Sequence, residues 1–357
     1  MINTQPGNSE IMQTAPLFIQ QHVSLTDFNT FGIGATARYF ALIQTSLELQ
    51  ALLLEPAFHE IPKLILGDGS NVLFTQQYDG LVIKNAIKGI QITKENEDHV
   101  WLKMGAGENW HQFVMYCIQQ GYGGIENLSL IPGTIGAAPV QNIGAYGVEL
   151  GDVFSKLEAM NLNDGTIKTF TREECQFGYR DSIFKNAYKD QYAILSVELC
   201  LDKKPQFHVE YGNIKDMLQS MQIQDLSIKA VSDAVIHIRK SKLPDPKELG
   251  NAGSFFKNPL ISHSHFSELK KNFPHIPSFP NENSDSIKIP AAWLIEQCGW
   301  KGKRLGDVGV YEKQALILVN YNANNSNGAA LLALAQKIQE SVNEKFSVQL
   351  TPEVKVC

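Results

Sequence analysis

The chain has 357 residues, 43% hydrophobic and 19% charged, and a formal net charge of -6. Such a chain can form two or three domains with a sizeable core, and its balance is that of a globular protein. The acidic total argues against a nucleic-acid-binding surface, and no run approaches the roughly 20 apolar residues needed to span a bilayer. Five widely separated cysteines without a CxxC pair argue against a disulfide framework or a zinc site and fit a reducing compartment.

The opening stretch is polar, lacks a basic start and an apolar core, and does not read as a signal peptide. A disordered leader is expected over residues 1–21, with order from Val23. "SLELQALLLE" reads as a short helix ended by Pro56. "KLILG" reads as a buried strand entering a glycine turn, and "LVIK" and "VWLKMGAG" as further strands. Trp110, Phe113, Val114, Cys117 and Ile118 fall at helical spacing, with Gly121 as the stop. Residues 133–151 are glycine-rich and strand-poor. "KLEAMNLNDGTIKTF" carries a hairpin signal around Asp164-Gly165, and "YAILSVELCL" is another strand. "SIKAVSDAVIHIRKSK" reads as a helix and "LPDPKELGNAG" as the linker at a domain boundary. A helix starts near Pro290 and stops at Gly299, and "ALILVN" is a strand. A long helix follows, with Leu331, Leu332, Ala335, Ile338, Val342 and Phe346 on one face. Hairpins mixed with isolated helices predict an α+β fold. His263-Ser264-His265 reads as a solvated loop rather than a ligand pair, and no metal site is expected.

Two glycine tracts suggest anion or cofactor contacts. In "LILGDGSNVL" the turn Gly67-Asp68-Gly69-Ser70-Asn71 lets successive N–H groups point at one anion. It is neither the dinucleotide fingerprint nor a P-loop, and an ordinary turn is the plain alternative. The second tract, "IPGTIGAAPVQNIGAYG", lets backbone approach a flat or extended ligand, or is simply a tight loop. Together the tracts fit a long, two-ended ligand such as a dinucleotide.

"ILGDGSNVLF", "GAGENWHQFV", "NLSLIPGTIGAAPVQNIGAYGVEL", "FGYRDSIFK", "KLPDPKELGNAGSFFKNP" and "LTPEVKV" occur in the order and spacing of the UDP-N-acetylenolpyruvoylglucosamine reductases. The sequence resembles that family from about Val23 to Cys357, and "VEYGNIKDM" resembles its longer subclass, whose tyrosine loop covers the substrate. The resemblance implies bound FAD, NADPH as electron donor and UDP-N-acetylglucosamine enolpyruvate as substrate. The product would be the cell-wall precursor UDP-N-acetylmuramate, made by a cytoplasmic, monomeric enzyme without nucleic-acid or membrane partners. It also implies a two-part FAD-binding unit of the vanillyl-alcohol-oxidase/p-cresol methylhydroxylase type plus a C-terminal α+β substrate-binding domain. The expected divisions are 22–93, 94–241 completed by a strand within 347–357, and 242–346.

The resemblance assigns catalytic roles to Ser254, Arg180 and Glu353. Reducing a C=C bond conjugated to a carboxylate builds negative charge on that carboxylate and leaves a carbon to be protonated. Arg180 matches the group that grips the carboxylate; alone, it would read as a surface arginine paired with Asp181. Glu353 matches an acid acting at the enolic oxygen, which needs a pKa raised by burial; alone, it would read as an exposed strand residue. Ser254 matches the proton donor. A nucleophilic serine would need an adjacent base and the G-x-S-x-G elbow, which "AGSFF" lacks, and a turn cap is the remaining alternative. Carried over as substrate contacts are Tyr211, Lys242, Asn258 and Gln314. Carried over as cofactor contacts are Gly67, Gly69, Ser70, Asn71, Ile131, Gly133, Ala137, Asn142, Gly144, Gly147, Arg239 and Lys355. Ala137 and Ala138 stand where some relatives have serines, and Lys355 where an arginine is common. Competing readings are an FAD-dependent oxidase of the same fold class, which would not require Ser254, Arg180 and Glu353 together, and a non-catalytic nucleotide-sugar-binding protein.

Overall fold

A four-stranded sheet runs in the order Ile19–Ser24, Thr36–Ile43, Tyr78–Asn85, Lys63–Leu66, with the apolar run Leu81–Ile83 buried on both faces. Residues 18–280, 285–323, 325 and 327–357 are described in the computed structural model of the chain. The first strand pair is antiparallel and the other two are parallel. Parallel strands need both faces covered, and Tyr78–Asn85 shows how that is met. Leu81 and Ile83 pack with Leu49, Leu52 and Leu53 of the helix Ser46–Leu54, while Val82 joins a core shared with residues beyond 250. The helix begins on a capping box in which the Thr45 hydroxyl accepts from Glu48 N and Glu48 reaches back to Thr45 N.

The second sheet is antiparallel, in the order Ile167–Thr171, Phe154–Asn161, Tyr192–Asp202, His99–Gly105, Ile90–Glu95. The helix Trp110–Gln120 covers it with Trp110, Phe113, Val114 and Cys117, and stops at Gly121 in the left-handed region. The third sheet runs Gly250–Ser254, Ile317–Asn320, Val308–Val310, Arg304–Leu305. The helix Gly328–Phe346 packs behind it, and Lys355–Val356 returns to pair in parallel with Val72–Leu73 of the first unit.

Several expectations shift. Order begins before Val23, because Ile19 already pairs with Ala41; residues 1–17 of the expected leader lie outside the described residues. The division at 93/94 falls inside the strand Ile90–Glu95, which the ladder with His99–Gly105 assigns to the second sheet. The end of the "LPDPKELGNAG" linker is strand, because Gly250 and Asn251 pair with Asn320 and Val319. His263 and His265 open the helix His263–Asn272 instead of lying in a loop, and the His265 ring bonds to Phe346 O at 3.0 Å. On the long helix Leu334 is buried where Leu332 was expected, since i, i+3, i+4 spacing from Leu331 reaches 334 and 335.

Gly328 opens that helix where a Cβ would lie 1.7 Å from Phe74 O. Helix propensity favours alanine over glycine, yet Gly328→Ala is expected to destabilise the fold by about 1–3 kcal/mol through overpacking. Urea unfolding checks this; a more stable variant would contradict the contact.

Candidate active site

The two glycine tracts face one another. A Cβ on Gly67 would sit 2.4 Å from Thr134 Oγ1, and one on Gly133 would sit 2.8 Å from Ser70 Oγ. Gly69 lies at φ +64, where a Cβ would be 2.0 Å from Phe28 O. Only glycine fits such an approach. The N–H groups of Gly69, Ser70 and Asn71 have no protein acceptor among the described residues. A cavity of about 670 Å³ opens between the tracts, lined by Gly67 to Val72, Ile131, Pro132, Thr134 and residues 136–138. Further along it come Arg180, Lys185, Asp190, Arg239, Ser254, Glu353 and Lys355.

The far end of the cavity is assembled by backbone pairing. Glu353 N donates to Phe255 O at 2.8 Å and Lys257 N to Thr351 O at 2.9 Å, so the segment 254–257 lies against 351–353. On the other side, Asn71 Nδ2 donates to Glu353 O at 3.2 Å and Lys355 N to Asn71 O at 3.1 Å. Ser254 is aimed by a bulge: strand register shifts between Asn251 and Ser254, and Gly253 adopts φ +67. Asn251 holds the bulge, accepting from Gly253 N at 3.0 Å and donating to Leu249 O at 2.8 Å. Ser254 Oγ has no protein partner among the described residues, so the turn-cap role is not in use.

Arg180 sits at φ +53 in a turn closed by Gly178 and Asp181. A non-glycine residue there is strained and marks a conformation the surroundings enforce. Its Nε lies 3.5 Å from Glu353 Oε1, its Nη1 3.6 Å from Glu149 Oε1, and its Nη2 donates to Gly144 O. It pairs with these two carboxylates rather than serving as a surface partner of Asp181. Burial pushes the Glu353 carboxyl above the ordinary range, and Arg180, Lys185 and Lys257 pull it back. Glu149 is raised in the same way, with burial outweighing Arg180.

These residues fit a dinucleotide cofactor. The unspent N–H groups of the first tract suit a diphosphate, and glycine clearance suits a flat ring. Arg239 Nε is buried without a partner, although its guanidinium bonds Tyr146 and burial lowers its pKa. An unpaired buried donor calls for an acceptor.

A family model described as UDP-N-acetylenolpyruvoylglucosamine reductase, C-terminal domain, matches residues 245–357, and one described as FAD binding domain matches residues 37–171. The UDP-N-acetylenolpyruvoylglucosamine reductase of Amoebophilus asiaticus is 53% identical over 338 residues, covering 95% of this chain and 99% of that protein. The chain belongs to the UDP-N-acetylenolpyruvoylglucosamine reductase family. The reductase of Flavobacterium johnsoniae is 48% identical over 339 residues and covers 95% of this chain and 99% of its own length. That of Pseudomonas aeruginosa is 44% identical over 337 residues, with 94% and 98% covered. The crystal structure of the Thermus caldophilus reductase has the same fold, with a TM-score of 0.64 at 23% identity over 95% of this chain and 99% of that one.

The structure brings some of the predicted residues to the cavity and leaves others away from it. Ser254, Arg180, Glu353, Gly67, Gly69, Ser70, Asn71, Ile131, Ala137, Gly144, Arg239 and Lys355 line it. Gly133, Asn142 and Gly147 do not. Asn142 donates to Glu149 Oε2 at 2.7 Å and Gly178 O at 3.1 Å, so it braces the turn that carries Arg180. Gly147 faces the Cβ of Tyr211. Tyr211 is 47% exposed and stacks near Phe279, away from the cavity lining. Lys242 is exposed at the end of the helix Ile228–Lys242. Asn258 Oδ1 accepts from Ala291 N at 2.9 Å, and Gln314 Oε1 from Leu316 N at 3.4 Å.

Three supporting residues had no assigned role in the sequence. Asn251 holds the bulge, and Lys185 lines the cavity beside Glu353. Asn127, buried, ties the second tract to the segment before Tyr211 by donating to Tyr146 O at 2.9 Å and His208 O at 2.7 Å. Asn251, Lys185 and Asn127 all lie within quoted family motifs, but nothing in an Asn or Lys alone states its partner. Lys355 is paired with Asp190 at the cavity mouth. Among the described residues, no helix is long and apolar enough to cross a membrane.

Proposed function

We infer that this protein catalyses the NADPH-dependent, FAD-mediated reduction of the enolpyruvyl C=C bond of UDP-N-acetylglucosamine enolpyruvate, giving UDP-N-acetylmuramate for peptidoglycan synthesis. The observation that carries the reading is the convergence of Ser254, Arg180 and Glu353 on one end of the cavity whose other walls are the two glycine tracts. Bound FAD supplies the two-electron transfer between NADPH and the double bond. The chain does the rest. The N–H groups of Gly69, Ser70 and Asn71 hold the cofactor's diphosphate, and Arg239 offers its free Nε–H to a cofactor acceptor. Arg180 grips the substrate carboxylate, where negative charge grows. Glu353, whose carboxyl burial holds above the ordinary glutamate range, shares its proton with that carboxylate when protonated. The hydride equivalent goes to the methylene carbon, and Ser254 Oγ gives its proton to the neighbouring carbon that bears the carboxylate, with solvent restoring the hydroxyl.

Tyr211, Lys242, Asn258 and Gln314 are proposed to close on the nucleotide end of the substrate. Lys242 is suited to its diphosphate as a mobile point charge. The three-unit organisation, a monomeric state and a cytoplasmic setting belong to the same proposal; use of NADPH supports the last.

The test separates the half-reactions. Without oxygen, NADPH should bleach the yellow protein, and UDP-N-acetylglucosamine enolpyruvate should restore the colour. If that substrate leaves the flavin bleached while oxygen restores it rapidly, the oxidase reading takes over.

A further inference from the structure

The first glycine turn contains a carboxylate. Asp68 sits between Gly67 and Gly69, beside the N–H groups of Gly69, Ser70 and Asn71, and lines the cavity. A negative side chain in an anion cradle is a local contradiction, because like charges a few ångströms apart repel. The strand Tyr78–Asn85 resolves it. Lys84 Nζ lies 3.0 Å from Asp68 Oδ1 and donates to Gly67 O at 2.7 Å. The Lys84 side chain is 18% exposed and that of Asp68 38% exposed. Asp68 Oδ2 accepts from Asn109 Nδ2 at 3.2 Å, and Asn109 also caps the helix Trp110–Gln120. The carboxylate is therefore drawn toward Lys84 and Asn109, and both of its oxygens are occupied.

We propose that Lys84 is a positioning residue of the FAD cradle: it neutralises Asp68 and ties down Gly67 O, so that the turn presents N–H donors and no net negative charge to the cofactor's diphosphate. The proposal rests on placing that diphosphate at residues 67–71. The dependence is indirect, because the lysine acts through Asp68 and does not itself line the cavity. Lys84 stands on the strand next to Lys63–Leu66, where register brings it opposite Leu66 at the entrance of the turn.

The test follows FAD release from the full-length holoprotein by the rise in flavin fluorescence on dilution, with far-UV circular dichroism as a check on folding. Lys84→Met is expected to accelerate release roughly 10- to 30-fold at low salt, and the excess should shrink as ionic strength rises. Lys84→Met combined with Asp68→Asn should return to within about threefold of wild type, because the uncompensated charge is gone. Asp68→Asn alone should release FAD more slowly than wild type, and this variant decides the matter if Lys84→Met does not fold. Wild-type release from Lys84→Met, a double variant as leaky as the single one, or unchanged or faster release from Asp68→Asn would each overturn the proposal. Gly69→Ala separates the underlying placement: if it folds and holds FAD as well as wild type, the cradle itself is misplaced, whatever Lys84 does.

Discussion

Replacing Ser254 by alanine is expected to leave NADPH bleaching of the bound flavin intact and to slow recovery of the oxidised spectrum on adding the enolpyruvyl substrate. The loss should be roughly 10²- to 10⁴-fold, the usual contribution of a positioned general acid. The bulge between Asn251 and Ser254 turns this hydroxyl into the cavity, and it makes no bond to the protein among the described residues. A structural serine normally spends its hydroxyl on a cap or a carbonyl; this one is kept available. It is not arranged as a nucleophile, because no base holds its oxygen. A free hydroxyl is a weak acid, suited only to an acceptor as basic as a carbon carrying displaced electrons. The split between half-reactions is the discriminating readout. If alanine slows bleaching while FAD stays bound, Ser254 shapes the cavity for both partners and the proton-donor role is wrong.

The elements were legible from the sequence where one physical signal dominated. The run "SLELQALLLE" announces a helix, Gly121 the end of the helix from Trp110, and Asp164-Gly165 a hairpin whose strands pair as expected. Contacts between distant segments were not legible. Nothing in "GDGSN" says that Gly67 packs on Thr134, or in "TPEVKV" that Glu353 N bonds Phe255 O. Those pairings bring Ser254 and Glu353 together, and only the family motifs anticipated them. The same limit appears with Asn142, whose buried amide braces Glu149 and Gly178 instead of lining the cavity. A motif gives the neighbourhood of a residue; its hydrogen bonds decide whether it lines a site or supports one. Lys84 is the converse case: it reads as one more strand residue until register places it over Asp68.

Glu353→Gln should separate catalysis from stability in opposite directions. Burial raises the Glu353 carboxyl above an ordinary glutamate, and Arg180, Lys185 and Lys257 offset only part of that. The unfolded chain releases this proton near the ordinary glutamate value of about 4.3; the folded chain keeps it to higher pH. Between those two values the folded state binds more protons. Stability contributed by this group therefore falls as pH rises through that window and stays lower above it. Glutamine cannot ionise, so the variant should melt no lower than wild type at neutral pH and show a flatter profile across the window. Chemistry runs the other way. The protonated form is the one proposed to act, so wild-type recovery of the oxidised flavin should decline as pH rises through the raised value. The variant should lack that limb and react roughly 10²- to 10⁴-fold more slowly below it, with bleaching by NADPH spared. A variant that melts several degrees lower at neutral pH would mean that the ionised Glu353–Arg180 pair holds the site together. Persistence of the alkaline limb in the variant would assign that titration to another group, and the raised Glu149 beside Arg180 would be the next to replace.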